Sequence, residues 1–183
     1  DYLAGLETVD GGNLGVMGWS QGGTDALLAA EAHPGTFQAV VTWSGALELN
    51  GASLFAGTSF EDAYAQAKKE GFYTMTFDWR EPLELGERWF QEVAETNILK
   101  VTADIKAPIL AINGKDDTTV TPDNAEKIVK AAANADSQLL LVDNCDHTYN
   151  VFSGDFTALY QTVDATAAFF QAQLIPAAAQ AAA

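Results

Sequence analysis

Gly15-Val16-Met17-Gly18-Trp19-Ser20-Gln21-Gly22-Gly23 runs without a break into Thr24-Asp25-Ala26-Leu27-Leu28-Ala29-Ala30. A short apolar run thus ends in G-x-S-x-G-G and passes into a good helix former, so a strand, a sharp turn and a helix are expected in one stretch. Gly18 and Gly22 carry no Cβ, which lets strand and helix approach closely and lets the turn take dihedrals costly to other residues. Ser20 is expected at the apex, at the carboxyl end of a parallel sheet, with the Gln21 N–H aimed at an oxyanion forming on a bound carbonyl. The competing reading is a glycine-rich turn that cradles a phosphate on a helix N-terminus. The spacing fits neither G-x-G-x-x-G nor G-x-x-x-x-G-K-[ST], because no lysine follows the glycines.

Outward from this turn the chain alternates strand and helix signals. The helix that starts at Gln21 stops at His33-Pro34-Gly35, and Phe37-Gln38-Ala39-Val40-Val41-Thr42-Trp43 reads as a second buried strand. Ala107-Pro108-Ile109-Leu110-Ala111-Ile112-Asn113 is a third, with Pro108 tolerable at its start. Thr121-Pro122 looks like an N-cap followed by proline at the first helical position. Ser137 to Val142 is a fourth strand, and a last helix from about Asp155 carries Phe156, Leu159, Tyr160, Val163, Ala167 and Phe170 on one face. This order argues for an α/β fold with a mostly parallel sheet flanked by helices. Ahead of the turn, Tyr2, Leu3, Leu6 and Val9 stand at helical spacing, as though the chain opens inside a helix whose upstream segment is missing.

Between residues 46 and 106 the character changes: polar and aromatic residues mix, no apolar strand run appears, and helix-like stretches lie near 61–70 and 85–95. We read this as a cap insertion in a single domain spanning 1–183. Leaving the carboxyl end of a parallel strand, it has the place of a lid over the ligand crevice of an open sheet. Its aromatics are expected chiefly to pack on one another. Trp19, Trp43, Phe77 and Trp79 are the aromatic candidates for lining a substrate pocket.

The 183 residues, 48% of them hydrophobic, can bury one sizeable core. Nine basic against 25 acidic residues give a formal charge of −16. That charge repels phosphate backbones and anionic lipid and argues against nucleic acid as a partner. Cys145 is the only cysteine, so neither an internal disulfide nor a Cys/His zinc spacing can be assembled. It reads as a small packing residue. No run approaches the length of a membrane span, no signal peptide opens the chain, and the compartment stays open.

A serine hydroxyl needs a base to take its proton, and neutral imidazole suits that task best near neutral pH. His33 ends the helix that returns antiparallel to the first strand, so it is expected a full sheet height from Ser20. His147, in Asp143-Asn144-Cys145-Asp146-His147-Thr148-Tyr149-Asn150, follows the fourth strand at the same carboxyl edge as Ser20. The base in turn needs a carboxylate to fix its tautomer. Asn113-Gly114-Lys115-Asp116-Asp117 leaves the third strand at that edge, and the residues alone leave Asp116 and Asp117 both open. Ser44, at the end of the second strand, has no G-x-S-x-G turn around it and reads as a structural hydroxyl.

Taken together the chain resembles an α/β-hydrolase, similar to the dienelactone-hydrolase, acyl-esterase and acylaminoacyl-peptidase branches. Gly18-Trp19-Ser20-Gln21-Gly22-Gly23 matches the elbow, Gly114-Lys115-Asp116-Asp117 with Val120 the G-x-x-D-x-x-V acid loop, and Asp146-His147 the base loop. The resemblance implies Ser20 as nucleophile, His147 as base and Asp117 as acid, with Asp116 as runner-up. Gln21 N–H supplies one oxyanion donor, and no metal or organic cofactor is required. It implies a small acyl ester as substrate, with a short peptide as the alternative; a non-catalytic module that keeps the sheet is the reading from another class. Family members carry the second oxyanion amide on a loop after an earlier strand, and that part of the fold precedes Asp1. A chain opening there would leave residues 14–17 as a bare apolar edge, on which self-association is expected.

Overall fold

The computed structural model describes residues 2–51, 54–55, 57–77 and 80–175; Trp79 lies outside them. Four strands, β1 (Leu14–Trp19), β2 (Phe37–Trp43), β5 (Ile109–Gly114) and β6 (Gln138–Val142), form one sheet in the order β1-β2-β5-β6, every pair parallel. The short β3 (Phe72–Met75) and β4 (Leu83–Gly86) pair antiparallel in a second sheet. All six residues of β5 are buried, as a central parallel strand with both faces covered requires.

The period-2 alternation divides the strand residues between two cores. Val40, Ile109 and Ala111 pack with Leu27 and Ala30 of α1 (Gln21–Ala32), Ile98 of α4 (Ile98–Asp104) and Ile128 of α5 (Asp123–Ala131). Ala39, Val41, Leu110 and Ile112 pack on the opposite face with Tyr149 and with Ala158 and Phe169 of α6 (Thr157–Leu174). α1 buries Gly23, Ala26, Leu27 and Ala30 at i, i+3, i+4 and i+7, with Thr24 buried beside them.

The chain divides into two compact units, Asp1–Leu47 with Ile98–Ala183, and Glu48–Asn97. The second has its own aromatic core around the buried Phe55 and Phe90, built with Phe60, Tyr64, Tyr73 and Trp89. Ser59 caps α2 (Phe60–Glu70) by accepting the Asp62 N–H at 3.0 Å, and Gly71 ends it in the left-handed conformation at φ 93°.

Three local expectations change. Residues 46–106 do contain strands, β3 and β4, whose four residues each are too few for alternation to declare itself; Leu85 lies in β4, so the following helix, α3, spans only Glu87–Glu95. The opening apolar spacing yields only a 3₁₀ turn at Leu3–Gly5, with Tyr2 80% and Leu3 56% exposed. Without a surface to pack on, one turn cannot offset the cost of helix nucleation. At α5 the Thr121 hydroxyl goes to the Asp123 carboxylate rather than to a helix N–H.

Candidate active site

β1, β5 and β6 are parallel, so the segments that leave them emerge at one carboxyl edge. Ser20 stands between β1 and α1 at φ 55°, ψ −124°, a positive-φ conformation outside the left-handed helical region that a non-glycine residue adopts only under constraint. The constraint is visible. Its N–H donates to the Trp43 carbonyl at 2.8 Å, and its own carbonyl accepts the Gly23 N–H at 2.9 Å. A Cβ on Gly18 would lie 1.8 Å from the Gly22 carbonyl oxygen, and one on Gly23 would lie 2.8 Å from the Gly45 Cα. Strand and helix therefore close on each other through Gly18 and Gly23. A Cβ on Gly22 would meet nothing within 4 Å; that residue contributes its backbone.

A serine at a helix N-cap ordinarily turns its oxygen onto an N–H of the first turn. Ser20 makes no such bond. Its Oγ lies 3.1 Å from Nε2 of His147, whose Nδ1 lies 2.8 Å from Oδ2 of Asp117. Gln21, the first residue of α1, has one of the helix-terminal N–H groups that lack an intrahelical partner.

Asp117 is 2% exposed, and its Oδ1 accepts the N–H groups of Thr119 and Val120, each at 2.9 Å. Burial pushes this carboxyl up, but the hydrogen bonds from His147, the Val120 N–H and the Ser44 hydroxyl, with the charge of a protonated His147, outweigh it. The group lies below the ordinary carboxylate range. Asp116 is exposed, and its N–H donates to the Cys145 carbonyl at 3.0 Å, tying the acid loop to the base loop. Gly114 makes that approach feasible, since a Cβ there would sit 2.1 Å from the Cys145 oxygen.

The loop that carries His147 is held by Asp146, whose Oδ1 accepts the Thr148 N–H and hydroxyl, each at 2.8 Å, and the Asn150 N–H at 2.9 Å. Asn144, Tyr149 and Asn150 all take positive φ. From the other side Trp19 donates its indole N–H to the His147 carbonyl at 2.9 Å, with the two rings 5.3 Å apart. An imidazole whose Nδ1–H is held by a carboxylate presents its Nε2 lone pair to the serine hydroxyl. Such an arrangement can take a proton from Ser20 and return it.

The remaining candidates stand elsewhere. His33 caps the far end of α1. Cys145 is fully buried, and burial, followed by the charges of Asp146, Asp117 and Asp116, pushes its thiol up to about 11. It is a thiol, not a thiolate, near neutral pH. Trp43 is partly buried, donates to the Thr166 hydroxyl at 2.9 Å and lies 5.0 Å from the Tyr149 ring. Phe77 packs against the aromatic core of the second unit. Among the described residues no cluster of three or more His, Cys, Asp or Glu is arranged to hold a metal ion, and no helix is long and apolar enough to cross a membrane.

Sequence reasoning passed over the pairing of the buried Ser44 hydroxyl with Tyr149 and the anchoring of the base loop by Trp19. The signal for the first was present: a Trp-Ser pair ends two successive strands, at 19–20 and at 43–44.

The sequence model of the prolyl oligopeptidase family, peptidase S9, matches residues 1–175. The chain belongs to that family. Against curated proteins the sequence finds no significant match. Solved structures similar to this prolyl oligopeptidase family member share its α/β-hydrolase fold at low identity. Est1E from Butyrivibrio proteoclasticus with ferulic acid bound is 19% identical with a TM-score of 0.72, covering 96% of this chain and 64% of that one. The esterase domain of a Rhodothermus marinus protein is 17% identical with a TM-score of 0.64, covering 87% and 61%. A puromycin-hydrolyzing peptidase of Mycobacterium tuberculosis is 20% identical with a TM-score of 0.62, covering 91% and 23%. The chain spans about two thirds or less of the length of these relatives.

Proposed function

We propose that this chain carries a serine hydrolase site that cleaves acyl esters through a covalent acyl-enzyme. The observation that carries the reading is the unbroken line from Ser20 Oγ through His147 to Asp117, with contacts of 3.1 and 2.8 Å. Ser20 Oγ bonds to the substrate carbonyl carbon while its proton passes to His147 Nε2, and Asp117 holds the imidazolium so formed. The Gln21 N–H donates to the oxyanion. Collapse expels the alcohol, which takes the proton from His147; a water molecule then repeats the sequence and frees the acid. Asp117 acts as acid in preference to the exposed Asp116. Residues 46–106 serve as a cap in this reading.

The family match favours a second substrate class, the peptide bond, since ester and amide cleavage use the same machinery. Hydrolysis of p-nitrophenyl acetate beside aminoacyl p-nitroanilides tests and separates the two. Ester turnover lost in Ser20→Ala and His147→Ala is the expected result; faster cleavage of an anilide would move the assignment to a peptidase. Turnover of neither, by folded protein, would favour a non-catalytic module.

A further inference from the structure

We propose that Asn113 is a positioning residue that holds the acid loop closed and keeps Asp117 turned toward His147. The inference deepens the hydrolase reading above and rests on it. The alternation along β5 puts Asn113 on the face that Ile109 and Ala111 give to an apolar core, and the residue is fully buried there. A primary amide in such a place is unfavourable unless its polar atoms are satisfied. Among the described residues, Asn113 Oδ1 has no hydrogen-bond partner. The other end of the amide is in use: Nδ2 donates to the Val120 carbonyl at 2.9 Å, to the Gly114 carbonyl at 3.2 Å and, at a long 3.5 Å, to Oδ2 of Asp117. What a buried asparagine supplies here is therefore its N–H edge.

Proton accounting fixes the orientation of that edge. Two carbonyls and a carboxylate only accept, so the amide nitrogen faces them, and a flipped amide would set its oxygen against three others. The bond to Val120 does most of the holding. Asn113 and Val120 stand on either side of the acid loop, seven positions apart, and Nδ2 ties them together. Val120 is thus fixed through its carbonyl, and its N–H donates in turn to Oδ1 of Asp117 at 2.9 Å. The Thr119 N–H takes the same Oδ1, which leaves Oδ2 to the 2.8 Å contact with His147 Nδ1. The weaker Asn113 contact falls on that same Oδ2. Both oxygens of the carboxylate are then set by a frame that Asn113 closes, and Asn113 acts on Ser20 only through Asp117 and His147.

The test uses the whole chain, fluorophosphonate labelling of Ser20 well below the melting temperature, and ¹⁵N-labelled histidine. Two histidines are present, so His33→Gln assigns the His147 Nδ1 proton by NMR. Asn113→Ala should slow labelling on the order of tenfold, as expected for one lost hydrogen bond, and should speed exchange of the Nδ1 proton with water. Asn113→Asp keeps the shape but, ionised, has no proton to donate, and it should label more slowly still. In an Asp117→Asn background, Asn113→Ala should leave the residual rate nearly unchanged, because a residue that acts through Asp117 then has nothing to act on. Wild-type labelling and Nδ1 exchange in Asn113→Ala overturn the proposal, whatever the melting temperature. Labelling of Asn113→Asp at the wild-type rate also overturns it, and so does a loss in the Asp117→Asn background as large as that in wild type. Should Asn113→Asp not fold, Asn113→Ala and the double variant decide the matter. A wild-type chain that stays unlabelled while its Nδ1 proton responds to Asn113→Ala overturns the hydrolase reading alone.

Discussion

Trp19-Ser20 and Trp43-Ser44 end adjacent parallel strands in register, Trp19 opposite Trp43, and in both the serine takes a positive φ, 55° and 48°. What lies beyond each pair makes them different. After Ser20 the chain enters α1, the serine stays half-buried, and the hydroxyl meets His147. After Ser44 the chain turns through Gly45, which lies against Gly23 of the elbow, and the hydroxyl is sealed against Tyr149. The indoles divide likewise, Trp19 donating to the base loop and Trp43 to Thr166 on α6. A strained serine at a strand end is therefore no nucleophile by itself; what separates the two is the partner of the hydroxyl, an imidazole for Ser20 and a buried phenol for Ser44.

The largest effect expected from breaking this comparison is at Ser20. Ser20→Ala should abolish ester turnover, on the order of 10⁶ in kcat, while Ser44→Gly retains a measurable fraction. Steady-state kinetics on one ester measures both, and comparable losses would erase the distinction between the pairs.

Next comes the carboxylate that His147 contacts at 2.8 Å. Asp117→Asn should lower kcat by up to about 10⁴, through the wrong imidazole tautomer. Asp116→Asn, altering an exposed side chain, should change it little. The reverse ranking would move the acid to Asp116.

Smaller effects should separate the tryptophans. Trp19→Phe should reduce kcat about threefold to tenfold, from the loss of one hydrogen bond to the base loop, with little change in melting temperature. Trp43→Phe should cost about 1 kcal/mol of stability through the lost bond to Thr166 and leave kcat per folded molecule nearly intact. Thermal melts and kinetics on the same samples check the pair.

The mildest expectation concerns acid. Because the Asp117 carboxyl lies below its ordinary range in the folded chain, it contributes stability above its unfolded pKa, about 3.9. That contribution is lost as pH falls through the lower folded value. Urea melts from pH 6 down to pH 2 should be flatter for Asp117→Asn than for wild type.

Much of the architecture was legible because the signals were local. The elbow glycines, the β-branched run of β2 and the breaker at Pro34 act over a few residues, and parallel topology then carries the loops of Asp117 and His147 to the edge that holds Ser20. What stayed hidden depended on contacts between distant segments. Ser44 looks inert until the base loop sets Tyr149 beside it, 105 positions later in the chain. Gly22 looks like the glycine the turn requires, yet the close approach falls on Gly23, because Gly45 is its neighbour. Tyr2 and Leu3 have helical spacing but no surface to bury against, and only packing decides whether such spacing becomes a helix.

The central claim, that of the two positive-φ serines Ser20 alone is activated, is tested most directly by mapping the covalent adduct. Folded wild-type chain is treated with a fluorophosphonate, digested and sequenced by mass spectrometry, beside Ser20→Ala and His147→Ala. The account predicts one adduct, on Ser20, absent from both variants. An adduct on Ser44, or undiminished labelling of Ser20 in His147→Ala, would contradict it.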